Sequence, residues 1–387
     1  MIFELPKERY REIRHLFKEK SYLNIFRSHL ERTPIEKKVF VDNLKKPQTA
    51  VIVVIPRLFF GGKADNEKFN SNFRKILFTK LKNEFFMRNQ HEVDCYFANT
   101  EWLEGVKNVL IEPYFYDRYY YEIEAIKLEN WKDMIPKGFS LEPVDLSLLD
   151  KKYLKNYDWL IEEIEENWLP FEENLKENKG FYLVRNNEEI VSWCTLEYLT
   201  DENEIEVGIA TKSEYQKRGF ATIVGSATAE YALSKYKSVG WNCSVSNIGS
   251  YKTAEKIGYQ RFKKYVKAGC FFNKIDNWII HGFTQAENKN YKKAIEWYEK
   301  ALQAFFENDL DFKDSVLTKE YFPMNRLMFR LATYHAALKD KENTFKNLQL
   351  ALNHGFHDVK LLKENELLKS LHNCKEWQKI LLEMKEN

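Results

Sequence analysis

Between a strand-like run ending near Ala210 and a helical run opening near Thr222, the chain places Gln216, Lys217, Arg218, Gly219, Phe220 and Ala221 in succession. Two bases beside a glycine at a strand-to-helix joint have the chemistry of an anion site. A residue without Cβ lets the backbone pass close to a bound group. The first amides of the following helix lack intrahelical acceptors, and the helix dipole is positive at that end. Lys217 and Arg218 add charge that matches phosphate. The plain alternative is a solvated turn, and the surrounding elements decide between them. Just upstream, Glu204 and Glu206 alternate with Ile205 and Val207, which predicts both carboxylates on one face of a strand. Their plain alternative is a solvent-facing hairpin.

The positioning elements follow from periodicity. The 387-residue chain divides into three blocks, 1–130, 131–272 and 273–387, joined without Gly/Ser linkers. The first runs through helices, three β-rich runs, a long helix, a strand, a helix and the aromatic strand around Tyr114, Tyr116, Tyr119, Tyr120 and Tyr121. The second reads helix, strand, turn, strand, turn, strand, the quoted loop and its helix, then strand, helix, strand. The third is almost wholly helical. Lys+Arg 60 against Asp+Glu 58 leaves a formal charge of +2, so no global field favours nucleic acid or an anionic membrane. The five cysteines are scattered without CxxC pairing, which argues against a disulfide framework or a zinc site. With no transmembrane-length apolar run and no signal-peptide core, the expectation is a cytoplasmic protein that binds neither membrane nor metal.

Gln216, Gly219 and Ala221 match the pattern [QR]-x-x-G-x-[GA], and the chain thereby resembles the GNAT (Gcn5-related) N-acetyltransferases. A second segment, with Asn247, Ser250, Ala254, Glu255, Lys256, Gly258 and Tyr259, resembles the family's N-x-x-S followed by A-E-K-x-G-[FY]. The resemblance implies an α/β (α+β) GNAT fold and acetyl-CoA as co-substrate. It implies that Gln216, Lys217, Arg218, Gly219, Phe220, Ala221 and Thr222 hold the pyrophosphate. It further implies that the strand through Val207, Ile209 and Ala210 pairs with the pantetheine arm, with Asn247 and Ser250 on the same side. Over about residues 36–266 the chain looks like the subfamily that includes the zwittermicin A resistance acetyltransferase. That kinship does not name a substrate. The first block parallels the second but carries "LFFGGKADNEKF" at the equivalent joint, so we expect a degenerate GNAT-like half that walls the acceptor pocket.

Acetyl transfer to an amine needs a base, an oxyanion stabiliser and, for the departing thiolate, an optional acid. Backbone amides near Ile209 suit the oxyanion. Glu206 is the first candidate base and Glu204 the second; no histidine lies between 131 and 272. Many relatives carry a tyrosine four residues before the glycine of the second segment, where this chain has Ala254. Tyr251 is the candidate acid, with Asn247, Ser246 and solvent as alternatives. The acceptor is a primary amine, of a small molecule or a peptide.

Other groups have blander readings. Glu162, Glu163, Glu165 and Glu166 fit a solvated helix face better than an acceptor wall, Cys194 and Cys243 are expected as core thiols, and His354 and His357 do not make a metal site. The tyrosine-rich strand reads as an aromatic core strand in preference to a seam joining the two halves. In the third block Trp278, Gly282, Tyr291, Ala294, Tyr298 and Ala301 fall at tetratricopeptide spacings, with a poorer second unit around Ala332, Thr344, Leu348 and Ala351. Such an array predicts a surface for a peptide or protein partner. A non-catalytic acyl-CoA-binding or interaction scaffold is the alternative class.

Overall fold

The computed structural model describes residues 2–17, 24–31, 36–168 and 170–386. It forms two compact units, the first comprising residues 1–75, 94–106 and 115–268 and the second 76–93, 107–114 and 269–387.

A single mixed sheet organises the first unit. Its strands are β1 (Phe3–Glu4), β2 (Lys38–Val41), β3 (Thr49–Val54), β4 (Arg57–Gly62), β5 (Glu92–Phe97), β6 (Tyr114–Ile123), β7 (Phe139–Pro143), β8 (Gly180–Arg185), β9 (Glu189–Glu197), β10 (Glu204–Thr211), β11 (Ser238–Ser244) and β12 (Gln260–Phe271). They run in the order β1-β2-β3-β4-β5-β12-β6-β11-β10-β9-β8-β7. The two halves repeat one plan. Antiparallel β2-β3-β4 lead by a helical crossover to β5, parallel to β4; antiparallel β8-β9-β10 lead by the helix Phe220–Lys235 to β11, parallel to β10. Each half then lends its last strand to the other, since β6 pairs antiparallel with β11 while β12 lies beside β5.

That exchange revises the expectation for the tyrosine-rich strand. β6 is a core strand, with Tyr120 and Tyr121 fully buried, and it is also the seam of the two halves. Aromatic composition reports burial, whereas the choice of neighbour is made by residues more than a hundred positions away. In the N-terminal half the joint equivalent to the anion loop is filled. A Cβ on Gly61 would lie 2.6 Å from the Phe17 ring, and one on Gly62 only 2.0 Å from the Gln48 carbonyl.

In the second unit the helices Lys274–Glu287 and Tyr291–Phe306 pack as a pair, and a Cβ at Gly282 would sit 2.7 Å from the Tyr298 ring. A second pair joins Met324–Ala337 to Lys341–Asn353. The rings of Tyr291 and Tyr298 stack on Tyr334 at 5.5 and 5.9 Å and tie the two pairs. The unit also takes in stretches from the first block of the sequence: Phe272 is ringed by Phe78, Phe85 and Phe86, and the Asn277 amide donates to the Ile111 carbonyl. Among the described residues no helix is long and apolar enough to cross a membrane.

Candidate active site

The site opens where two parallel strands part. The β10–β11 register ends at Val207 with Trp241, whereas β10 stays paired with β9 as far as Thr211 with Ser192. Two adjoining cavities flank the parting and share Ile209, Trp241, Asn247 and Ser250 in their walls.

The larger cavity, about 770 Å³, is lined by Ile209, Ala210, Gln216, Lys217, Gly219, Phe220, Ala221 and Thr222, with Asn247 to Ser250 opposite. After a short turn over Ser213–Tyr215 the backbone enters the left-handed region at Lys217 (φ 61°) and again at Gly219 (φ 86°). The helix then starts at Phe220, two residues earlier than the sequence suggests, and Gly219 at its N-cap supplies no side-chain cap. The amides of its first turn are therefore left to face the cavity that Phe220, Ala221 and Thr222 line. A Cβ at Gly219 would meet only Met134 Cε at 3.5 Å, so the glycine serves the positive φ and not a crowded contact. Arg218 does not line the cavity; its guanidinium lies 5.3 Å from the centre of the Tyr215 ring. Asn247 caps the helix Ile248–Ile257 through the Ser250 amide (3.1 Å), and the Trp241 indole donates to Ser250 Oγ at 3.0 Å.

The smaller cavity, about 420 Å³, is polar and enclosed by both halves of the first unit. Glu206 lines it at 3% exposure. Asn242 Nδ2 donates to its Oε2 at 2.6 Å, and the Tyr265 hydroxyl donates to Asn242 Oδ1 at 2.8 Å. Oε1 of Glu206 is buried without a hydrogen-bond partner among the described residues. Burial pushes this carboxyl up to about 7, against the Asn242 hydrogen bond and the charge of Arg118, both of which favour ionisation. A carboxyl that titrates near neutrality with one bare oxygen can accept a proton there.

The other candidates stand apart. Glu204 lines neither cavity and pairs with Arg27 at 2.7 Å. Tyr251 also lines neither; its ring stands edge-on to Tyr119 with centroids 5.9 Å apart. Val207 borders the smaller cavity only.

Several residues of the smaller cavity escape sequence reasoning, and one, Glu163, takes its blander reading there. Glu197 is the cross-strand partner of Glu206, and its carboxylate occupies the space over Gly208, where a Cβ would lie 1.5 Å from Oε1. Glu163 reaches the same cavity from the helix Tyr157–Asn167, whereas Glu162 and Glu165 of the same acidic run are exposed. Alternation of Trp193, Thr195 and Glu197 in one strand was the available signal. Arg57, Asp94, Arg118 and Lys267 come from β4, β5, β6 and β12, and no local pattern marks them. Among the described residues no group of three or more His, Cys, Asp or Glu could hold a metal ion.

Burial, and then the facing Glu163, hold the Glu197 carboxyl well above the ordinary carboxylate range. With the folded value above the unfolded one, its contribution to stability is complete below the unfolded value and is lost as pH rises through the folded one. Glu197→Gln removes that loss. The melting temperature of the variant relative to the parent is expected to rise as pH increases above the ordinary carboxylate range; a difference independent of pH would show that the carboxyl carries no such burden.

Comparison with known proteins points to one family. The family model described as GNAT acetyltransferase matches residues 14–267. The uncharacterized N-acetyltransferase YdfB of Bacillus subtilis (strain 168) is 23% identical over 266 residues, 68% of this chain and 96% of the relative. The uncharacterized N-acetyltransferase YjdG of the same organism is 29% identical over 141 residues, 31% of this chain and 84% of the relative. A crystal structure of a GCN5-related N-acetyltransferase-like protein from Streptococcus suis 89/1591 superposes with a TM-score of 0.50 at 19% identity, covering 68% of this chain and 98% of that one.

Proposed function

Because the chain belongs to the GNAT acetyltransferase family, we propose that it transfers the acetyl group of acetyl-CoA to a primary amine by direct attack on the thioester. The observation that carries this reading is Glu206, buried at the parting of β10 and β11 with one oxygen unpartnered and a carboxyl near neutrality. The first-turn amides of the helix at Phe220, with the left-handed Lys217 and Gly219 before them, suit a pyrophosphate. The strand edge at Ile209 and Ala210 suits the pantetheine arm, and the amide near Ile209 the oxyanion.

Glu206 takes the proton of the attacking amine as the N–C bond forms. The C–S bond then breaks and coenzyme A leaves as the thiolate. Tyr251 stands outside both cavities, so solvent supplies the thiolate's proton, with Ser246 and Asn247 as nearby donors; a thiol of ordinary value near 8.5 makes little demand on an acid. The subfamily of the zwittermicin A resistance acetyltransferase, a cytoplasmic location and a tetratricopeptide-like module that takes a peptide or protein partner belong to the same reading. The bare Glu206 oxygen favours turnover over a silent acyl-CoA scaffold.

Incubation with acetyl-CoA and a panel of amines should release free thiol in step with acetylated amine. Thiol release without acetylated product, or none at all, would sink the proposal.

A further inference from the structure

The smaller cavity separates its charges by element. Its carboxylates Glu163, Glu197 and Glu206 come from the helix Tyr157–Asn167, β9 and β10, while its bases Arg57, Arg118 and Lys267 come from β4, β6 and β12. Its fourth acid, Asp94, is already engaged, since Oδ1 accepts from the Tyr116 hydroxyl at 2.5 Å and Oδ2 from the Lys267 ammonium. Burial pulls that ammonium down to about 7, whereas a guanidinium stays charged at any working pH.

Two charged groups in this cavity keep an unused polar atom. Glu206 Oε1 is a buried acceptor and Arg118 Nε a buried donor, each without a partner among the described residues. They are held at a fixed spacing by two uncharged side chains, because Arg118 hydrogen-bonds Tyr265, Tyr265 donates to Asn242, and Asn242 donates to Glu206. Trp193 Nε1, also buried and without a partner among the described residues, adds a second donor to the lining of the same cavity. An acceptor with only an amine would leave the Arg118 donor unsatisfied, at a cost that a matching anion removes.

We propose that the acceptor is a small amino carboxylate, its amine held at Glu206 and its carboxylate held by Arg118. The inference rests on the acyl-transfer reading above and names the substrate class of that site. The chemical step is unchanged: the amine nitrogen gains the acetyl group, Glu206 receives the amine proton, and coenzyme A departs as thiolate. Arg118 binds and orients; it exchanges no proton.

The test compares free α-, β- and γ-amino acids with their decarboxylated amines and methyl esters, using acetyl-CoA and the full chain. The best amino acid should exceed its decarboxylated counterpart by about 10- to 100-fold in kcat/KM, the worth of one charge-assisted hydrogen bond. In Arg118→Met that ratio should fall to about one. Because both substrates are assayed on one preparation, a partly folded variant does not imitate the result, and Arg118→Lys, which keeps charge but loses the Nε donor, should give an intermediate ratio. Dipeptides in the same panel distinguish a free amino acid from a longer chain bearing the same groups. Equal use of acids, amines and esters by the parent would overturn the inference. So would failure of every amino acid to be acetylated, or to shift melting of the coenzyme A complex, while acetyl-CoA still binds. Failure of acetyl-CoA itself to bind would instead remove the acyl-transfer reading, and this inference with it.

Discussion

Glu206→Gln is expected to lower kcat by about 10²- to 10⁴-fold, the usual worth of a positioned general base, while acetyl-CoA affinity measured by calorimetry stays close to that of the parent. The amide keeps the size of the side chain and can still meet Asn242 but cannot take a proton. The pH dependence carries the sign of the assignment. The base is the ionised form, so parental kcat/KM should climb as pH rises through about 7, and the variant should lack that limb. Equal loss of turnover and of cofactor affinity would show that Glu206 shapes the fold of the site and does not act as its base. Full turnover in the variant would send the search for the base to Glu197, the remaining buried carboxyl opposite it.

Gly219→Glu should abolish acetyl-CoA binding, weakening it at least about 100-fold through loss of two charge-assisted hydrogen bonds at about 1.5 kcal/mol each. The introduced carboxylate would lie at a helix N-terminus and compete with phosphate for the same amides. Any side chain at this position also bears the strain of a φ of 86°, about 1–2 kcal/mol. Gly219→Ala separates the two effects. Its methyl would meet only Met134 Cε at 3.5 Å, so it should lower stability modestly while keeping most of the affinity. Calorimetric titration of parent and both variants reads this directly. Equal affinity in parent and Gly219→Glu would place the pyrophosphate elsewhere.

The anion loop was legible because its geometry is local. A glycine at the turn, a strand before it and a helix after it already prescribe a left-handed residue and a row of open amides, whatever surrounds them. The placement of Glu206 on one face of a strand was legible by alternation alone. Its burial was not, because the residues that enclose it arrive from elsewhere: Asn242 from β11, Tyr265 from β12 and Arg118 from β6. Nor could alternation separate Glu204 from Glu206. Both share a face, yet one pairs with Arg27 outside the cavities and the other borders the smaller one. Tyr251 failed to reach the site for a similar reason, since packing turned its ring toward Tyr119 on β6.

The sequence by itself therefore determined the order of elements in both halves, the loop suited to phosphate and the family to which its motifs point, since each depends on residues within a turn or a strand of one another. Tertiary structure alone decided that the halves exchange strands β6 and β12, that the N-terminal joint is closed by Phe17, and that four acids and three bases meet in one cavity. Strand pairing across more than a hundred residues is chosen by burial and complementarity over the whole sheet, and desolvation acts only once that sheet has closed.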